Sequence, residues 1–146
     1  MTPQPAYKTA RPGVVSTHSH AALDIGSRLP KLTKISTILE SFCDLGQARL
    51  LDIGVGNGVI TSGLAVRCRE AAGVDVVDER LYKEGYDFHL VRDERLPFTD
   101  GCFDVVVSNH VIQFMHDQVT HLKEIERVLR PGGICYLAFS NKFSMM

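Results

Sequence analysis

The sequence lacks the features that define several protein classes. No apolar run among its 146 residues approaches the ~20 residues that cross a bilayer. The N-terminal stretch MTPQPAYKTARPG contains prolines and basic residues but not the apolar segment of a secretory signal. A formal net charge of −1 offers no general attraction to nucleic acid or to an anionic membrane. We therefore expect a cytoplasmic protein with no membrane span and no nucleic-acid partner.

Support for disulfide or metal chemistry is also missing. The four cysteines are far apart, form no CxxC motif and lie in largely apolar segments, which predicts reduced, buried thiols; they are Cys43, Cys68, Cys102 and Cys135. His18 and His20 form an HxH pair, while His116 and His121 are five residues apart. Neither pair has further ligands at suitable spacing, so we expect no metal site.

The most informative stretch is RLLDIGVGNGVI, residues 49–60. A short apolar run leads into Gly54, Gly56 and Gly58, after which apolar residues recur at helical spacing. This pattern predicts a buried strand, a glycine turn and a helix start. Spaced glycines let a ligand approach the backbone near the unpaired N–H groups of the helix. The alternative is a tight turn without a ligand.

The spacing of these glycines narrows the choice of ligand. A dinucleotide-binding GxGxxG motif would have its third glycine where Val59 stands, and the pattern is instead DxGxGxG, led by Asp52. A carboxylate there would repel a pyrophosphate but suits a ligand with positive charge. S-adenosyl-L-methionine has a sulfonium, an ammonium and one carboxylate. A nucleotide-dependent oxidoreductase is the less favoured alternative.

Strands and helices are expected to alternate along the rest of the chain. Residues 1–29 are predicted to be an N-terminal tail, and residues 30–146 the core. A helix from Pro30 to Asp44, ended by Gly46, has an apolar face formed by Leu32, Ile35, Leu39 and Phe42. Besides the helix that starts after Gly58, a short helix is expected from Glu79 to Glu84, and a further helix has Val119, Leu122, Ile125 and Leu129 on one face. Beside Arg49 to Ile53, the predicted strands are Ala72–Val77, Tyr86–Val91, Phe103–Ser108 and, after a Pro-Gly-Gly turn, Ile134–Phe139.

Polar residues follow several of these strands. Asp75, 17 residues after Gly58, is close to the spacing at which an acid binds ribose hydroxyls in βαβ nucleotide sites. A helix N-cap is the alternative role, and it suits Asp78 better. Asn109 and His110 directly follow strand four and would face the methyl group or the methionine moiety of S-adenosyl-L-methionine. His110 is a candidate general base, although packing or a local hydrogen bond is the more ordinary role for such a histidine.

These motifs resemble the class I S-adenosylmethionine-dependent methyltransferases, in particular the branch called methyltransferase type 11. The segments RDERLPFTDGCFDVVVSNHV and LKEIERVLRPGGICYLAF extend the resemblance to about residues 30–141. It implies a doubly wound, Rossmann-like α/β fold with five parallel strands in the order 3-2-1-4-5 and helices on both faces. It also implies that Asp93, or Glu94 beside it, contacts adenine, and that the segment Thr17 to His20 contributes to a lid over the cofactor; a solvent-exposed tail is the alternative for that segment. The cofactor residues expected on this basis are Asp52, Gly54, Gly56, Asn57, Gly58, Asp75, Val76, Asp93, Glu94 and Asn109.

The expected function is methyl transfer to a small-molecule or sugar-containing acceptor. Members of the family normally continue with two more strands, whereas only seven residues, Ser140 to Met146, follow the predicted fifth strand. A truncated piece, or a module that binds the cofactor without catalysis, is therefore the alternative. An apolar fifth strand at the sheet edge predicts self-association into a homo-oligomer. No residue specifies the acceptor.

Overall fold

A computed structural model describes residues 25–140. Its five strands form one parallel sheet in the order β3-β2-β1-β4-β5. The elements in chain order are α1 (Ile25–Glu40), β1 (Arg49–Ile53), α2 (Val59–Ala65), β2 (Glu70–Asp75), β3 (Asp87–Leu90), β4 (Phe103–Asn109), α3 (Gln118–Val128) and β5 (Leu129–Ala138). The predicted fold class and strand order are confirmed.

Both faces of the sheet are covered because neighbouring residues of each central strand point to opposite sides. On one face, α1 and α2 enclose a core that includes Ile35, Leu39, Leu50 and Val105. On the other face, α3 packs on a core that includes Ile53, Val74, Val106 and Ile125. The sheet is therefore doubly wound, and β1 and β4 lie at its centre.

The first helix differs from its prediction at both ends. It is already helical at Ile25, it contains Pro30, and it ends at Glu40 rather than at Asp44. After it, Asp44 accepts a hydrogen bond from the Gly46 N–H and begins a separate 3-10 turn. Phe42 consequently leaves the helix face and is 72% exposed. The predicted tail and core boundary near residue 30 remains a prediction, because residues 1–24 lie outside the description.

The predicted helix from Glu79 to Glu84 is wrong. Asp78 accepts hydrogen bonds from the Arg80 backbone N–H and from its guanidinium, so it closes a local turn instead of capping a helix. The N–H groups of Leu81 and Tyr82 both donate to the Asn57 carbonyl, at 2.9 and 3.0 Å. Residues 76–86 therefore form an ordered loop that lies against the glycine turn.

Smaller corrections concern α3, β2, β5 and the cysteines. In α3 the buried side chains are His121, Ile125 and Val128, whereas Val119 and Leu122 are exposed, so the predicted apolar face was displaced. β2 begins and ends two residues earlier than predicted. β5 begins at Leu129, and Pro-Gly-Gly lies inside it as an irregularity opposite Phe103 to Val105 rather than before it. The four cysteines are free, but none is fully buried as predicted: Cys135 is exposed and the other three are half-buried.

Candidate functional site

The candidate site lies at the carboxyl ends of β1 and β4. The chain leaves β1 toward β2 on one side and β4 toward β5 on the other, so the sheet order reverses between these two strands. Ligands of open parallel sheets bind in the crevice at such a reversal. A narrow cleft there is lined by Arg28, Asp52, Gly54, Val55, Asn57, Ile60 and Asn109.

The three glycines after β1 have different surroundings, although φ is positive at each of them. A Cβ at Gly54 would collide with the side chain of Val111, and one at Gly58 would collide with the Tyr82 carbonyl. A Cβ at Gly56 would meet nothing within 4 Å. Gly54 and Gly58 are therefore required by internal packing, and Gly56 faces open space in which a ligand fits against the backbone.

Asp75 is the last residue of β2 and anchors the glycine turn. One carboxylate oxygen, Oδ2, accepts a hydrogen bond from the Gly56 N–H at 2.9 Å, and Oδ1 accepts one from the Val76 N–H at 2.7 Å. Each oxygen can accept a second hydrogen bond, so the carboxylate can still receive ligand hydroxyl groups. The structure thus brings Asp75, Val76 and Gly56 together at one point.

Asn57 and Asp52 stabilise the same turn from inside. The Asn57 side chain accepts a hydrogen bond from the Val59 N–H at 3.1 Å, at the first residue of α2. Asp52 is 3% exposed and accepts a hydrogen bond from Thr61 Oγ1 at 2.6 Å. Burial raises the pKa of Asp52 to about 7, an effect that the Thr61 hydrogen bond and the charge of Arg28 partly oppose. A buried carboxyl in this cleft provides a place for positive charge on a ligand.

Asp93 and Glu94 lie in the loop that follows β3. Asp93 is exposed, and its Oδ1 accepts a hydrogen bond from the Arg95 N–H at 3.0 Å, which makes a local turn. Glu94 is half-buried. Neither side chain lines the cleft around Asp52, and their assignment to adenine stays a prediction.

Asn109 and His110 lie where the cleft meets a second, larger pocket. This α1–β5 pocket has a volume of about 360 Å³ and is lined by Lys31, Lys34, Ile35, Asn109, His110, Tyr136, Leu137, Ala138 and Phe139. His110 has a φ of 57°, and its backbone N–H donates a hydrogen bond to the Ala138 carbonyl at 2.7 Å. Burial and the charges of Lys31, Arg28 and Lys34 lower the pKa of His110. The imidazole is therefore biased toward its neutral form, in which one nitrogen can accept a proton.

α1 contributes basic residues to the cleft and to the α1–β5 pocket, and these residues were not predicted from the sequence. Arg28 lines the cleft, and Lys31 and Lys34 line the α1–β5 pocket. Their spacing of three residues places them along one side of a helix, and this regular spacing could have been recognised in the sequence.

The two histidines five residues apart, His116 and His121, have different surroundings. His121 is buried, and its Nε2 lies 3.1 Å from Ser108 Oγ, whereas His116 is exposed. His18, His20 and Thr17 lie outside the described residues.

Comparison with known proteins identifies the family. The family described as "Methyltransferase domain" matches residues 51–137. The chain is 34% identical over 100 residues to the biotin biosynthesis bifunctional protein BioHC of Cellvibrio japonicus, covering 64% of this chain and 20% of that protein. It is also 34% identical over 100 residues to the malonyl-[acyl-carrier protein] O-methyltransferase of Halorhodospira halophila, covering 62% and 34%.

A solved structure adds support for the fold. The crystal structure of a SAM-dependent methyltransferase from Aquifex aeolicus superposes with a TM-score of 0.58 at 17% identity, over 70% of this chain and 67% of that one. At this identity the likeness concerns the fold. The chain spans a fifth to a third of the length of the two relatives named above.

The chain belongs to the methyltransferase-domain family, within the class I S-adenosylmethionine-dependent methyltransferases. The resemblance inferred from the DxGxGxG turn and the LPF and PGG segments is therefore confirmed. Between residues 25 and 140, no helix is both long and apolar enough to cross a membrane, and no cluster of three or more His, Cys, Asp or Glu side chains is placed to hold a metal ion.

Proposed function

We propose that this chain binds S-adenosyl-L-methionine and transfers its methyl group to a small-molecule or sugar-containing acceptor. The observation that carries the proposal is the meeting of three features at one sheet edge: the open backbone at Gly56, the Asp75 carboxylate anchored beside it, and the buried carboxyl of Asp52. Each matches a different part of the cofactor.

The residues present fit the cofactor in chemical type. The Gly56 backbone admits a close approach, Asp75 has acceptor capacity for ribose hydroxyls, and Asp52 can pair with positive charge. Val76, Asn57 and Asn109 would complete the binding surface, and Asp93 or Glu94 would receive adenine. When bound, the cofactor supplies an electrophilic methyl group.

The part that the protein performs is then mainly positioning, because methyl transfer is an in-line displacement that needs no obligatory strong base. Asn109 lines both the cleft and the α1–β5 pocket, so a donor in the first and an acceptor in the second would meet beside it. His110 lies at the same junction and would accept the proton of an acceptor hydroxyl.

A module that binds the cofactor without catalysis is the second candidate. The stretch that matches covers 20% and 34% of the two relatives named above, so their likeness supports binding of the cofactor more directly than transfer to an acceptor. An oxidoreductase is disfavoured because Val59, the residue at the position of the third dinucleotide-binding glycine, is buried and begins α2.

Transfer of a labelled methyl group into a metabolite extract separates these candidates. We expect label from S-adenosylmethionine to enter at least one small molecule with the wild-type chain. We expect none with the Gly56→Asn variant, which puts a side chain into the open space. Binding of the cofactor without any transfer would favour the non-catalytic module.

A further inference from the structure

We infer that the α1–β5 pocket binds an acceptor that carries an anionic group, a carboxylate or a phosphate, held by Lys31 and Lys34. The inference rests on the proposed function, because it names the chemistry of the acceptor that the same site would take. It depends on the charges of the lining residues, on the pairing of the lysines and on the place of His110.

The charges that line the pocket are of one sign. Lys31 and Lys34 are both exposed and both line it, and the other titratable side chains there are His110 and Tyr136. Within residues 25–140, no aspartate or glutamate lines the pocket. An anionic ligand would therefore be attracted to this pocket by unopposed positive charge.

The two lysines have no ion-pair partner in the part of the chain that the structure describes. Together with Arg28 they form a row of three cations spaced three residues apart on α1. Like charges at this spacing destabilise a helix. The sole acid of α1 is Glu40, which lies near Arg67 at the other end of the helix. Helix stability thus gives no reason for the row, whereas anion binding does.

The cofactor does not account for both lysines. S-adenosylmethionine has a single carboxylate, and Arg28 already lines the cleft beside Asp52. Lys31 and Lys34 face the neighbouring pocket instead. Their charge is available to a second ligand, which in a methyltransferase is the acceptor.

The remaining surface of the pocket suits a ligand with an apolar body. Ile35 is buried, and Tyr136 and Leu137 of β5 are half-buried. A volume of about 360 Å³ lies within the range of small-molecule sites. His110 lies at the end of the pocket that is near the cleft. The hydrogen bond from its backbone N–H to the Ala138 carbonyl stabilises it there, although its φ is positive. An acceptor anchored by its anion at the lysines would direct its other end toward His110 and Asn109.

The test is an NMR titration of chain labelled at its histidine rings, with His110→Gln used to assign the His110 signal. The probes are benzoate, its neutral isostere benzamide, and phenyl phosphate, each added with and without S-adenosylhomocysteine. We expect benzoate, phenyl phosphate or both to shift the His110 signal and benzamide to leave it in place. The anion that binds more tightly identifies the group.

Variants assign the effect to the lysines. In Lys31→Gln/Lys34→Gln we expect the probe affinity to fall about fivefold or more, as the loss of two partly screened charges predicts. The charge-conserving Lys31→Arg/Lys34→Arg and the distant Lys123→Gln on α3 should retain it. Equal affinity in the Gln double variant, an equal response to benzamide, or no response to either anion would overturn the inference. Failure of S-adenosylhomocysteine to bind would reject the proposed function instead, because the probe titration without it still reports on the pocket.

Discussion

The cleft and the α1–β5 pocket share Asn109 but are built in opposite ways. The cleft is tightly hydrogen-bonded: its lining carboxyl, Asp52, is buried against Thr61, and beside the cleft Asp75 accepts hydrogen bonds from the backbone N–H groups of Gly56 and Val76. The pocket has two lysines that lack an ion-pair partner among residues 25–140. In the proposals above, the cofactor would lie in the first site and an anionic acceptor in the second, and the reaction would take place at their junction.

The largest effect is expected within the glycine turn itself. Gly58→Ala combines positive φ, about 1–2 kcal/mol, with a collision against the Tyr82 carbonyl, about 1–3 kcal/mol, so the free energy of unfolding should fall by about 2–5 kcal/mol. Gly56→Ala should cost only the first part. Chemical denaturation of both variants measures the difference. Equal losses would mean that Gly56 is enclosed as well.

The buried carboxyl of Asp52 makes stability depend on pH. Its folded pKa of about 7 exceeds the ordinary value of 3.8, so the folded state binds more protons and its stability falls as pH rises between these values. Asp52→Asn should therefore be more stable than wild type at pH 8, by on the order of 3 kcal/mol, and the difference should disappear near pH 4.

Thermal melting from pH 4 to pH 8 checks this expectation. The exposed Asp93→Asn is the matched control, because its amide oxygen can keep the hydrogen bond from the Arg95 N–H. A pH-independent difference between wild type and Asp52→Asn would show that Asp52 ionises normally.

Gly56→Asn should separate folding from binding. Asparagine tolerates positive φ better than most residues, and the space in front of Gly56 is open, so the variant should fold. Its side chain would occupy the ligand's place, and we expect the affinity for S-adenosylhomocysteine to fall about a hundredfold. Calorimetry with circular dichroism measures both quantities. A folded variant that binds as wild type does would place the ligand elsewhere.

Asp75 accepts hydrogen bonds from two backbone N–H groups, so a substitution at Asp75 can disturb the glycine turn as well as ligand binding. Its role in binding the ribose is therefore tested by combining a variant of the protein with a variant of the ligand. Wild type should bind S-adenosylhomocysteine more tightly than its 2′,3′-dideoxy analogue by about 1.5–3 kcal/mol, the value of hydrogen bonds to a charged group. Asp75→Asn should lose most of this discrimination. If the variant discriminates as wild type does, Asp75 serves only the glycine turn.

The smallest effect concerns the edge of the sheet beside the pocket. β5 is the last strand in the sheet order, and its outer backbone groups have no strand partner within residues 25–140. We predict weak self-association at high micromolar concentration, detected as a rise in apparent mass by light scattering. A charge in the strand, Leu137→Lys, should reduce it. A clean monomer at that concentration would contradict the prediction.

The glycine turn and the position of Asp75 were predictable because each follows from a local pattern, spaced glycines in one case and an acid near a strand end in the other. The strand order was predictable only through the resemblance to a known family. The features that were not predicted depend on contacts between residues that are far apart in the sequence. The loop in place of the helix at 79–84 depends on the Asn57 carbonyl, which is remote in sequence. Likewise, the different surroundings of Gly54, Gly56 and Gly58 depend on Val111 and Tyr82. The role inferred for Lys31 and Lys34 depends on the pocket that residues of α1 and β5 line together, which local sequence does not reveal.

The most direct test is a parallel calorimetric titration of the wild-type chain with S-adenosylhomocysteine and with NADH. The buried carboxyl of Asp52, the open backbone at Gly56 and Val59 in place of a third dinucleotide-binding glycine together predict saturable binding of S-adenosylhomocysteine and no binding of NADH. Binding of NADH alone, or of neither ligand by the folded chain, would contradict the account.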